Sequence, residues 1–296
     1  MRRLIVNADD FGFTAGINRA IVEAHTRGIV TSTTLMAKGR AFDDAVRSAA
    51  TVPSLSVGCH VVLIDGVPVL DAEQLRSITT SNSSGGHRFR DGLKSFAARA
   101  LAGRLNPHEI EIEVSAQIRT LQSAGVSVSH VDTHKHTHLF PAVLRPLLRA
   151  ARACSVRAIR NPFGPSKPLK SSALLARPGL WTRYAEVRIL RTLAAKFREA
   201  ARREGFLTPD GTLGIVVTGA LDEKLFRGIA AIIPEGTWEF VCHPGYNDAD
   251  LTSARTRLRQ SRETELRVLT MPEARQLLLD EGIALISYRD FLLTET

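Results

Sequence analysis

Val126-Ser-Val-Ser-His-Val-Asp-Thr-His-Lys-His-Thr-His138 is the stretch from which the fold can be read. Its first half alternates apolar and polar residues, the period of a short strand, and its second half breaks into a run of histidines. Residues 130–138 hold four of the chain's nine histidines, with Asp132 among them. Imidazole is the commonest side-chain ligand of transition metals, and a carboxylate completes a nitrogen/oxygen site. A lone histidine at a strand end is ordinarily a satisfied structural residue. This density points instead to a metal site where a strand runs out into a loop.

The same arrangement recurs on both sides of that stretch. Strand-like runs are predicted over 4–6, 29–36, 55–63, 156–161, 214–218, 238–242 and 283–288, and helical spacing over 15–27, 41–50, 107–124, 141–153, 223–233 and 262–281. Strand alternating with helix is the pattern of a mostly parallel sheet covered by helices. Over 296 residues without a sharp composition break, it predicts one α/β domain, a distorted seven-stranded (β/α) TIM-like barrel. Residues 71–91, with the Thr- and Ser-rich run 79–86, and residues 163–178 lose periodicity and are expected to be irregular loop insertions.

Composition narrows the function. The apolar content of 44% supports a sizeable core. Cys59, Cys154 and Cys242 are widely spaced, which excludes a disulfide framework and a zinc finger and fits a reducing, cytoplasmic setting. The N-terminus lacks a signal-peptide pattern, and no 18-residue apolar segment is present to span a membrane. The net charge of +9 comes with only 6% aromatic residues and no aromatic-interleaved basic tract, so no nucleic-acid partner is expected.

In a barrel of this kind the C-terminal strand ends open on one face. Asp9 and Asp10 end the first strand, His60 a later one, Asp132 and His134 the central one, Arg160 and Asn161 the next, and His243 a late one. Adjacent side chains on an extended backbone point apart, so one aspartate of the pair can bind a metal while the other stands beside the attacking water as general base. The competing reading of Asp9-Asp10 is a cap for the helix that follows. His243 reads as a general acid or as a loop histidine fixed by Pro244, and Arg160 as a group steadying a carboxylate or a substrate oxygen.

Asn7-Ala-Asp-Asp-Phe-Gly12, Gly28-Ile-Val-Thr-Ser-Thr-Thr34, Gly58-Cys-His60, residues 130–138 and Cys242-His-Pro244 together resemble the YdjC-like carbohydrate deacetylase family, over nearly the whole chain. The resemblance implies a distorted α/β barrel with one divalent metal ion, Mg2+ or Zn2+, that hydrolyses an N-acetyl group from an amino sugar. Position by position it implies Asp10, His60 and His134 as metal ligands, Asp9 as base and His243 as acid. His136 and His138 are alternatives to His134, or substrate contacts together with Arg160 and Asn161. Ile159-Arg-Asn-Pro162 and the basic C-terminal half look most like the hopanoid-associated branch, which implies a lipid-linked substrate, acetylglucosaminyl bacteriohopanetetrol.

Leu180, Tyr184, Val187, Leu190, Ala194, Phe197 and Ala201 recur at three- and four-residue steps, and residues 177–203 carry eight Lys/Arg against two Glu. That composition suits a helix lying on the cytoplasmic face of an anionic inner membrane, or equally an outer barrel helix with a solvated face. Soluble chitooligosaccharides as substrate, a metal-dependent phosphoesterase, and a non-catalytic lipid- or sugar-binding protein are the alternative functions.

Overall fold

A computed structural model describes residues 1–81 and 87–295. Nine strands occur among them: β1 (Arg2–Phe11), β2 (Ser32–Leu35), β3 (Ser56–Val61), β4 (Thr79–Ser81), β5 (His87–Phe89), β6 (Val131–Thr133), β7 (Gly211–Leu213), β8 (Gly236–Cys242) and β9 (Ile283–Ile286). Seven form one parallel sheet in the order β6-β3-β2-β1-β8-β7, with β9 also on β1. β8 pairs with Arg2–Ala8 of β1, while β9 takes Arg2–Ile5 and β2 takes the residues from Asn7 onward. β1 is therefore the central stave. Its interior is buried from Leu4 through Phe11, which explains a nearly continuous apolar run interrupted only by Asn7 and the two aspartates.

The sheet curls into the expected distorted barrel, and irregular backbone bridges β6 to β7. Val131 donates to the Ala158 carbonyl (3.0 Å) and accepts from Arg160 N (3.1 Å), Ile159 donates to Leu207 (3.0 Å), and Thr212 donates to Phe163 (3.0 Å). The strand expected at 156–161 is thus present only as isolated bridges. Of residues 126–130, expected to begin the central strand, Ser129 and His130 hydrogen-bond to β3 without regular pairing, and the strand itself is Val131–Thr133. At 214–218 the expected strand is replaced by a 3-10 turn, Ile215–Val217, after the shorter β7, because Gly214 takes a left-handed φ of 93°.

The expected helix 262–281 is two, Gln260–Thr270 and Pro272–Asp280. Pro272 holds Met271 extended and ends the first. The irregular insertion at 71–91 contains a 3-10 turn, Ala72–Gln74, and the antiparallel β4–β5 hairpin; its residues 82–86 lie outside the described residues. Residues 163–178 are mostly irregular, with one short helix, Ser171–Leu175.

The stripe at 180–203 spans Trp181–Leu190 and Ala194–Arg203, joined by a 3-10 turn. Leu180, Ala194, Phe197 and Ala201 are buried, and Tyr184, Val187 and Leu190 pack half-buried on the same core. The stripe therefore packs on the barrel, which takes its apolar surface out of water. Among the described residues no helix is long and apolar enough to cross a membrane.

Candidate active site

Strand register brings the polar residues together. β3 and β6 align His60 with Asp132, and β1 and β8 align Ala8 with Cys242, so Asp9 and His243 leave adjacent staves side by side. Thr14, not either aspartate, caps the helix Ala15–Thr26, its side chain accepting from Ile17 N, which frees Asp9 and Asp10 for other work. Asp10 is left-handed (φ 68°), as are Lys135 (φ 54°) and His136 (φ 53°) just past His134. Non-glycine residues held there cost on the order of 1 kcal/mol or more each and cluster where side-chain direction matters for function. Asp10 meets His60 and His134 while its neighbour Asp9 meets Arg160.

Asp10, His60 and His134 form a close triangle. Asp10 Oδ1 lies 3.5 Å from His60 Nε2 and 3.5 Å from His134 Nδ1, and the two nitrogens are 3.2 Å apart. Ligand atoms roughly 2.0–2.2 Å from one ion stand about 3.0–3.5 Å from each other, so the triangle fits a shared divalent cation. The other ring nitrogen of His60 meets Asp132 Oδ1 at 2.8 Å, the carboxylate–histidine support that fixes the orientation of a ligating imidazole. Asp9, Asp10, Asp132 and Glu239, with Glu265 beside His243, are buried carboxylates that outnumber the two buried guanidinium groups, Arg160 and Arg262. Uncompensated buried charge is expensive, and a dication would offset most of the excess. Burial by itself would lower the His60 pKa, but Asp132 first, then Asp9 and Asp10, push it up to about 9, so without an ion a proton supplies part of the missing charge.

Asp9 turns the other way. Arg160 grips both of its oxygens (2.6 and 2.8 Å), and Asn7 donates to Oδ1 at 3.0 Å. Against burial, which works to raise it, Arg160 holds the Asp9 carboxyl far below the usual range. Arg160 is itself fully buried, reaching Asp132 (2.6 Å) and Glu239 (2.7 Å) as well, and Tyr288 donates to Glu239 at 2.6 Å. Thr34 Oγ1 stands between the two halves, 3.1 Å from His60 Nδ1, 3.3 Å from Asp132 and 3.5 Å from Asp9. On the far side, His243 Nε2 lies 3.9 Å from Asp9 Oδ2. The His243 backbone donates to Glu265 at 2.6 Å, while its Nδ1 sits 3.9 Å from that carboxylate with no hydrogen-bond partner.

Of the remaining expected residues, two are fully buried. His138 is fully buried, bonded to Thr133 Oγ1 at 2.7 Å and packed on Phe197. Asn161 is fully buried and ties the carbonyls of Pro209 and Asp210. His136 is half-buried beside His138, its Nδ1 unpartnered, and burial pushes it down to about 3, a neutral imidazole. His130, counted in the histidine run, stacks on Tyr288 (3.5 Å between centroids) and bonds Asn7, away from the triangle.

Three residues escaped the reading of the sequence: Arg262, Glu265 and Glu239. A signal was present. Arg262 and Glu265 occupy the i and i+3 positions of a stripe continued by buried Leu266 and Leu269, where a helix normally shows apolar side chains. Glu239 likewise interrupts an apolar strand.

The YdjC-like protein family matches residues 3–280. A carbohydrate deacetylase of Brevibacillus brevis is 31% identical over 290 residues, covering 97% of this chain and 99% of that protein. A carbohydrate deacetylase of Geobacillus stearothermophilus is 32% identical, covering 98% of each. A crystal structure from Enterococcus faecalis, provisionally described as a cellobiose-phosphate cleavage protein, superimposes with a TM-score of 0.76 at 26% identity over 98% of both chains.

Proposed function

This chain belongs to the YdjC-like protein family, and from that premise we propose that it is a metal-dependent hydrolase removing the N-acetyl group from an N-acetylglucosamine-type sugar. The observation that carries the proposal is the division of labour between adjacent aspartates: Asp10 with His60 and His134 on one side, Asp9 with Arg160 and His243 on the other. The curated relatives named carbohydrate deacetylase support the same chemistry.

Asp10, His60 and His134 would hold one divalent ion, a donor set that accepts Zn2+ as well as Mg2+. Such an ion supplies Lewis acidity to a water and to the acetyl carbonyl. Arg160 keeps Asp9 ionised, in the form able to accept a proton from the attacking water. His243, across the gap from Asp9, donates a proton to the departing nitrogen, so that the amide C–N bond breaks to acetate and a free amine. Glu265 anchors the His243 backbone and leaves the ring turned toward Asp9. His136, half-buried like His134, is the proposed sugar contact, with His138 buried beside it and Arg160 and Asn161 buried as well.

For the finer substrate we favour a lipid-linked sugar, acetylglucosaminyl bacteriohopanetetrol, met at the cytoplasmic face of the inner membrane. Supporting this are the resemblance carried by Ile159-Arg-Asn-Pro162 and the exposed Leu175, Trp181 and Ile189 on the segment leaving the barrel after Asn161.

The test measures acetate and phosphate release by wild type and Asp9→Asn from N-acetylated chitooligosaccharides and from the same sugar on a lipid in vesicles. Acetate release that falls about 100-fold or more in the variant is expected. Near wild-type turnover by Asp9→Asn would remove Asp9 as base, and phosphate release or no turnover at all would replace the deacetylase reading. A preference for the soluble sugar would rule out the lipid.

A further inference from the structure

Resting on the metal reading above, we infer that Arg262 is a positioning residue which confines Asp10 to one ligating oxygen and keeps the ion's remaining face open. Arg262 lies on the helix Gln260–Thr270, far from Asp10 in sequence, yet is only 1% exposed. Its Nη2 meets Asp10 Oδ2 at 2.5 Å, its Nε donates to the Leu258 carbonyl at 3.2 Å, and its Nη1 has no partner. Among the described residues Asp10 is its one ionic partner.

The two oxygens of Asp10 therefore have separate tasks. Oδ1 faces both histidines at 3.5 Å, and Oδ2 is taken by the guanidinium. A carboxylate free on both oxygens can grip a cation with two bonds, filling positions that hydrolysis needs for water and substrate. The buried guanidinium prevents this in two ways. It occupies the second oxygen, and its positive charge, close to the cation's position in a poorly screened interior, opposes tight binding. Arg262 thus trades ion affinity for open coordination positions. Gly245, two residues past His243, meets the same side chain: a Cβ there would come 2.9 Å from Arg262 Cδ, so the loop carrying His243 is shaped around it.

The experiment titrates Co2+, a spectroscopic substitute, into wild type, Arg262→Met, Arg262→Lys and Asp10→Asn, following the visible absorption and affinity, with thermal unfolding as a check on folding. Arg262→Met should bind Co2+ about 10-fold tighter or more, because it removes a like charge from beside the cation's position, with a changed absorption band and reduced acetate release. Arg262→Lys, which keeps the charge and one donor, should retain the wild-type spectrum. Weaker binding by Arg262→Met with an unchanged band would mean that Arg262 merely holds Asp10 in place, and wild-type behaviour in Arg262→Met would mean that it does neither. A wild type that binds Co2+ no better than Asp10→Asn would sink the metal reading itself, a different failure.

Discussion

Replacing Asp132 by Asn keeps the side chain's shape and removes its charge from two contacts, His60 Nδ1 at 2.8 Å and Arg160 Nη1 at 2.6 Å. Loss of a carboxylate behind a ligating imidazole lowers metal affinity about 10–100-fold, roughly 1.4–2.7 kcal/mol. Proton competition makes that deficit depend on pH. In the ion-free protein His60 is pushed up to about 9, so at neutral pH an incoming ion must displace its proton. Wild-type affinity should therefore rise about tenfold per pH unit and level off near pH 9. Asp132 is the strongest of the attractions holding that proton, so Asp132→Asn should level off at lower pH. The variant's deficit is then widest at pH 9 and narrows toward pH 6.5. Competition for Zn2+ against a chromophoric chelator across this range measures both curves. Parallel curves, or equal affinity at pH 9, would refute the argument that Asp132 both supports His60 and holds its proton. Stability of the ion-free protein has the matching sign. A histidine raised above its unfolded value stabilises fully below about pH 6.5 and loses that contribution, on the order of 3 kcal/mol, as pH rises through 9.

His243→Gln should lower acetate release by about 100-fold or more while leaving ion affinity unchanged, since His243 stands outside the Asp10–His60–His134 triangle; lost ion binding in a titration would make it a ligand instead. Gly58→Ala would place a Cβ 2.5 Å from His130 Cε1 and 2.7 Å from the His130 carbonyl, beside the strand that carries His60. Overpacking of that kind costs about 1–3 kcal/mol and should lower the melting temperature by several degrees, whereas an unchanged melt would mean that both the ring and the backbone of His130 can move aside.

The barrel was legible because its strands announce themselves locally. A β-branched or apolar run ending in Asp, His or Arg needs no knowledge of the partner strand, and β1, β3, β6 and β8 all carry that signature. Some of the elements misread depend on distant partners, whereas the breaks at Gly214 and Pro272 are local. Residues 156–161 bridge the staves without regular pairing, and 214–218 turn at a left-handed glycine. The stripe at 180–203 had a pattern compatible with a bilayer or a core, and only the presence of a core to cover decided between them.

For the site, strand ends that converge on one face of a parallel barrel marked Asp9, Asp10, His60, Asp132, His134, Arg160, Asn161 and His243 together, and only the family resemblance suggested separate roles among them. What pairs with what was a matter of tertiary structure. Arg160 grips Asp9, Asp132 supports His60, Arg262 takes the second oxygen of Asp10, and Glu265 anchors His243. These contacts join residues up to 252 positions apart. The physical reason is that local sequence fixes periodicity and direction, whereas charge pairing in a buried centre is decided by which side chains closure of the barrel leaves without water.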